Sequence, residues 1–195
     1  MSTQVGAGAG HAASPAPPSP APGPVLEVPT SLGTARAHLH PGRTGPRPPA
    51  AASRRTTVLL GHGAGGGIDA RDLAALAAAL PAIGVDVVVV EQPWRVAGRR
   101  VAGRPAGLDR AWQEVLADPA LRTAAGLAAG NRLVCGGRSA GARVACRTAA
   151  AVGADGVVAL AFPLHPPGRG FDPGRSRAWE MSEVCLLYTS DAADE

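Results

Sequence analysis

The sequence predicts an α/β fold with a mostly parallel sheet, preceded by an antiparallel hairpin. Three observations carry this expectation. From Thr57 to Phe162, β-rich apolar runs alternate with segments of helical periodicity. One of these runs, Val85–Val90, is almost wholly β-branched, as expected of a strand buried on both faces. Ahead of them, two short runs flank Pro29-Thr-Ser-Leu-Gly33, which has the composition of a hairpin turn.

Each element follows from its residues. Residues 1–24 are mostly Ala, Gly, Pro and Ser with one histidine, too little apolar surface to offset ordering, and are expected to be disordered. Val25–Val28 and Ala35–Leu39 form the hairpin, and Pro41–Arg55 a Pro/Arg/Gly loop. Thr57–Leu60 is the first parallel strand. Ala70–Leu80 is a helix with Asp69 as N-cap and Leu73, Leu76 and Leu80 on one face. Val85–Val90 follows as a strand and 97–107 as a loop. Leu108, Trp112, Val115 and Leu116 repeat at helical spacing, which predicts a helix over 107–118. Arg132–Cys135 is a strand, Gly141–Ala150 a helix and Gly156–Phe162 a buried strand. That strand ends in Pro163-Leu-His-Pro-Pro-Gly168, a rigid loop at the carboxyl end of the sheet.

Composition narrows the partners. All 19 basic residues of the 195 are arginine, the mark of GC-rich codons. The isoelectric point near 9.7 therefore carries little weight as a nucleic-acid signal. The arginines are scattered rather than set in a stripe with aromatics, and no nucleic-acid partner is expected. No run of 18 apolar residues and no basic-then-apolar leader is present, so neither a membrane span nor a signal peptide is expected and the location reads as cytoplasmic. Cys135 and Cys146 read as small buried apolar groups. No cofactor and no metal are expected, and the oligomeric state is left open.

The chemistry concentrates at Arg132-Leu-Val-Cys-Gly-Gly-Arg-Ser-Ala-Gly-Ala-Arg-Val-Ala145. An apolar run ends in Gly136 and Gly137, Ser139 follows, then Gly141 and a helix-compatible segment. This is G-x-S-x-G between strand and helix, a nucleophile elbow. Glycines at 137 and 141 remove side chains that would collide with backbone in so tight a turn. The helix N-terminus beyond Ser139 favours negative charge near its hydroxyl. A second element is Thr56-Thr-Val-Leu-Leu-Gly-His-Gly-Ala-Gly-Gly-Gly67, a strand feeding a glycine-rich loop. In an α/β-hydrolase this loop supplies one oxyanion-hole N–H and the residue after the nucleophile the other. The donors here would be Ala64 and Ala140.

Three further residues are pocket candidates: His62, Arg138 and His165. His62 lies in the oxyanion loop, whereas a triad histidine follows the serine and the acid in the chain, so its reading is structural rather than catalytic. Arg138 and Arg143 flank the nucleophile. Either they recognise an anionic group on the substrate, or they are structural and pair with carboxylates such as Asp155 or Glu91; the second reading is preferred. His165, in a loop of prolines, either lines the pocket or packs.

Two other functions compete. Gly61-His-Gly-Ala-Gly-Gly66 also satisfies G-x-G-x-x-G, and Glu91 at the end of the next strand is placed to bind a ribose hydroxyl in a dinucleotide-binding domain. The interval from Gly61 to Glu91 exceeds the usual one of about 20 residues, and such a domain explains neither the hairpin nor the elbow. A non-catalytic binding module on a hydrolase fold is the other.

The last eleven residues, Cys185–Glu195, change character: they hold the chain's single tyrosine and no arginine. They match a frame translation of a transposase-type sequencing-library adapter and are expected to be an artefact outside the fold. On that reading 25–184 is a partial, incomplete α/β-hydrolase domain. About two further strands, bearing the triad acid and histidine, are then expected beyond Val184. The fragment is expected to be inactive, with the strand ending at Phe162 left as a bare apolar edge.

From Val25 to Arg177 the chain resembles a bacterial branch of the dienelactone-hydrolase-like α/β-hydrolases, related to the hydrolase-like domain of human testis-expressed and histone-acetyltransferase-complex proteins. The resemblance rests on Leu60-Gly-His-Gly-Ala-Gly-Gly-Gly67, Glu91-Gln-Pro-Trp94, Gly136-Gly-Arg-Ser-Ala-Gly-Ala-Arg143 and Phe162-Pro-Leu-His-Pro-Pro-Gly168. It implies Ser139 as nucleophile and a small-molecule ester or acyl substrate. The acid and histidine it implies have no matching position in this chain.

Overall fold

The structure is a computed structural model and describes residues 23–43, 54–166, 173–182, 184 and 187–189. The expected disordered segment and the end of the adapter-like tail lie largely outside the described residues. Strands β1 (Val25–Thr30) and β2 (Gly33–His40) form the hairpin, closed by Ser31 and Leu32. Strands β3 (Thr56–Gly61), β4 (Asp86–Glu91), β5 (Arg132–Arg138), β6 (Gly156–Leu160) and β7 (Leu187–Thr189) follow. Among the described residues they make one seven-stranded sheet in the order β1-β2-β4-β3-β5-β6-β7. β2 joins β4 antiparallel, and every pairing from β4 to β7 is parallel. The expected mixture of hairpin and parallel sheet is what the chain forms.

Side-chain alternation builds a core on each face of the sheet. Leu59, Val88 and Val90 pack with Trp112, Val115, Ala142 and Ala145 from helices α3 (Pro105–Ala117) and α5 (Ala140–Val152). Val58, Leu60, Val87 and Val89 face the other way, against Leu73 and Ala77 of α1 (Arg71–Ala79). Strands buried on both faces need no polar alternation, which is why Val87–Val90 is uninterrupted valine.

Several boundaries differ from the sequence reading, each for a local reason. α1 begins after Ala70, which makes no side-chain cap, so Asp69 does not serve as N-cap. The loop expected after β4 opens with a short helix, α2 (Pro93–Val96), and α4 (Pro119–Ala124) follows α3. α2, α3 and α4 all carry proline in the first turn, where its missing N–H costs nothing. Asp118 caps α4 by accepting the Leu121 N–H at 2.8 Å. β6 stops at Leu160 rather than Phe162 because Ala161 turns to φ 43°. A further short helix, α6 (Trp179–Ser182), lies beyond the loop after β6. The edge of β6 is not bare: Val157–Ala159 pair with Leu187–Thr189 inside the adapter-like tail. An open strand edge is a row of unpaired N–H and C=O groups, and a β-prone Leu-Tyr-Thr segment satisfies them.

Candidate active site

Ser139 stands alone between β5 and α5, at φ 52° and ψ −107°. That backbone is sparsely populated for a residue with a Cβ and costs about 1–3 kcal/mol, so the surroundings must impose it. They do so from two sides. The Ser139 N–H donates to Leu160 O of β6 at 2.9 Å, and the Ser139 carbonyl accepts the Arg143 N–H at 3.1 Å. Beneath the turn, a Cβ on either Gly137 or Gly141 would collide with the carbonyl of Gly61 at the end of β3. Gly137 also takes φ 156°, open to glycine. The two glycines therefore let the elbow press onto the neighbouring strand.

The loop after β3 runs beside this turn. A Cβ on Gly63 would lie 3.5 Å from both Ser139 Cβ and Arg138 O. Ala64 comes next and is exposed, while Ala140 is the first residue of α5 and half-buried. The first-turn N–H groups of a helix have no acceptor within it, so that of Ala140 is available to a ligand beside the serine.

His62 is buried, 3% exposed, and both ring nitrogens are engaged. Nε2 accepts the Gln92 N–H at 3.1 Å, which leaves Nδ1 to carry the proton and donate to Gly63 O at 2.9 Å. Its ring meets Trp94 with centroids 5.4 Å apart. Burial lowers its pKa, against the opposing pull of the Gly63 carbonyl bond, so the ring is neutral. His62 thus fastens the oxyanion-type loop to the end of β4 and has no nitrogen left for a substrate.

The two arginines beside Ser139 find carboxylates other than Asp155 or Glu91. Arg138 lies 3.6 Å from Asp72 in the first turn of α1. Arg143 makes a two-pronged pair with Glu180 at 2.9 and 2.5 Å. Arg147 joins Glu180 at 3.1 Å and grips Asp109 at 2.9 and 2.6 Å. Glu180 is only 3% exposed, so this cluster pins α6 and α3 to the helix that follows the nucleophile. Asp155 instead accepts the Leu133 N–H at 2.8 Å, and Glu91 sits 3.8 Å from His38 Nε2. No sequence signal marked Glu180, which lies 37 residues from Arg143. His165 is half-buried in the loop after β6, whose Pro163 and His165 carbonyls accept from Arg177 at 3.3 and 3.4 Å. Among the described residues no side chain hydrogen-bonds Ser139 Oγ.

The glycine loop is poorly placed for a dinucleotide. α1 does not open on Gly66 but begins at Arg71, so the loop is not the first turn of a helix. Glu91, the candidate ribose ligand, is drawn to His38 on β2.

A serine at a strained strand-to-helix turn, beside a glycine-rich loop at the carboxyl end of a parallel sheet, defines an α/β-hydrolase type of site. Residues 54–194 match the family model described as an alpha/beta hydrolase domain, and the chain belongs to that family. A comparison with curated protein sequences returns no match. Among solved structures the chain is similar to XC6422 from Xanthomonas campestris, described as an a/b serine hydrolase without lid. The TM-score is 0.60 at 21% identity, over 91% of this chain and 75% of that one. An alpha-beta serine hydrolase homologue from Coxiella burnetii matches with TM-score 0.57 at 14% identity, over 72% of this chain and 64% of that one. Est1E from Butyrivibrio proteoclasticus matches with TM-score 0.54 at 14% identity, over 77% of this chain and 59% of that one. No helix among the described residues is long and apolar enough to cross a membrane.

Proposed function

We propose that the protein carrying this domain is a serine hydrolase acting on a small-molecule ester or related acyl bond, with Ser139 as its nucleophile. The observation that supports this reading above others is the backbone of Ser139 at φ 52°, ψ −107° beside the Gly63 loop. A strained conformation at that position is maintained by four glycine-mediated or hydrogen-bonded contacts and has no evident structural benefit. Ser139 Oγ would attack the carbonyl carbon and the N–H groups of Ala64 and Ala140 would hold the oxyanion. A base would take the hydroxyl proton and return it to the leaving alcohol, and water would then release the acyl group. The motifs at 60–67, 91–94, 136–143 and 162–168 support the dienelactone-hydrolase-like branch, and a cytoplasmic setting suits such a substrate.

With no side chain on Ser139 Oγ among the described residues, the 195-residue chain itself is proposed to turn over very slowly. Oxyanion donors without an acid–base partner leave roughly 10³–10⁴ over water in the best-studied case. The test is labelling by a fluorophosphonate, which requires an activated serine. The protein carrying this domain should label at Ser139 and the Ser139→Ala variant should not. A folded whole protein that stays unlabelled would instead support a non-catalytic binding module.

A further inference from the structure

A cleft of about 220 Å³, whose lining does not include Ser139, opens between the hairpin turn, α2 and the start of α3. We propose that it binds a single-ring organic anion that also carries a hydrogen-bond donor, in a site that works without Ser139.

Size sets the first limit. A dry cavity of about 150 Å³ holds benzene, so this cleft admits one ring with a short arm. Its walls suit a ring: Trp94, Leu32 and Val101 all line it. Leu32 and Val101 are 51% and 79% exposed, two of the few large apolar side chains left in water. Exposed apolar groups gathered around one concavity mark a binding surface.

Charge sets the second limit. Arg99 and Arg104 both line the cleft, and neither forms an ion pair among the described residues. No acidic residue lines it. Gly107 and Leu108, at the start of the 13-residue helix α3, complete the wall; their N–H groups are taken by the Arg104 carbonyl at 2.9 and 3.2 Å, so the charge of the site rests on the two guanidinium groups. Two cations line one space with no acidic residue among its lining, which favours an anion.

The third limit comes from Gln92. It lines the cleft yet is only 5% exposed, and its Oε1 is buried with no hydrogen-bond partner. A buried amide acceptor without a donor costs about 1–3 kcal/mol, and a ligand donor at this wall would recover it. The backbone N–H of Gln92 is already held by His62, so the main chain that carries this amide is fixed before anything binds.

The experiment is a ligand-observed NMR titration of the 195-residue chain with 4-hydroxyphenylacetate. Saturable binding is expected. The uncharged 4-hydroxyphenethyl alcohol should bind about tenfold or more weakly, and acetate alone should not compete. Phenylacetate, which lacks the hydroxyl donor, should bind several-fold more weakly, a gap that Gln92→Leu should close. Arg99→Gln with Arg104→Gln should weaken binding about tenfold, at two exposed positions. Ser139→Ala should leave it unchanged, so a failed hydrolase assignment does not touch this result. Absence of saturable binding to the wild-type chain would overturn the proposal. So would equal affinity for the charged and uncharged ligands, which needs no variant to fold, or full competition by acetate.

Discussion

His62 Nε2 accepts the backbone N–H of Gln92 at 3.1 Å, joining the carboxyl ends of two adjacent parallel strands. The histidine follows β3, the glutamine follows β4, and the same ring holds the Gly63 carbonyl through Nδ1. The loop beside Ser139 is therefore held by a neutral imidazole.

This bond makes stability pH-dependent. Burial lowers the His62 pKa from the ordinary 6.5, and burial lowers those of His38 and His40 in the same direction. A group whose folded pKa is depressed binds more protons when unfolded. Its contribution is complete above pH 6.5 and is lost as pH falls from 6.5 toward the lower folded value. The urea midpoint should fall between pH 7.5 and pH 5. His62→Phe should cost about 1–3 kcal/mol at pH 7.5, by orphaning the Gln92 N–H, and should flatten the pH dependence. A wild-type midpoint that rises on acidification would contradict this.

Ser139 holds a conformation that glycine tolerates and alanine does not. Ser139→Gly should raise the unfolding free energy by about 1 kcal/mol through relief of φ 52°. Ser139→Ala should give no such gain. Equal stability of the two variants in urea denaturation would show that the turn is not strained.

Glu180 serves two arginines at once. Glu180→Ala leaves Arg143 and Arg147 partly buried without their shared carboxylate and should cost about 3–5 kcal/mol. Removing both partners in Arg143→Ala with Glu180→Ala should cost clearly less than the sum of the two single changes, since Arg143 is no longer stranded and Arg147 keeps Asp109. Additive losses in a double-mutant cycle would mean that the pair is not coupled.

Two glycines separate close approach from open space. A methyl at Gly141 meets the Gly61 backbone, whereas one at Gly65 has nothing within 4 Å. Gly141→Ala should destabilise by about 2 kcal/mol or more, or prevent folding, and Gly65→Ala should shift stability by less than about 1 kcal/mol. Thermal unfolding of both variants checks the contrast.

The amino-acid sequence by itself determined the hairpin, the alternation of strands and helices, the elbow at Ser139 and the glycine loop beside it. Each is written in neighbouring residues: valine runs for strands buried on both faces, leucine spacing for α1, glycines two positions either side of the serine. The proline starts of α2 and α4 are equally local, and Asp118-Pro119 is a helix-start signal in neighbouring residues. Only the tertiary structure decided the rest. That Arg143 meets Glu180, that Arg138 meets Asp72 rather than Asp155, and that His62 reaches Gln92 all depend on which elements the sheet and helix packing make neighbours. The order β2-β4-β3-β5 sets β4 beside β3 across about 30 residues of chain, and no periodicity encodes a partner at that separation. A charged side chain carries its sign in the sequence, but its partner is chosen by where burial leaves a charge to be neutralised.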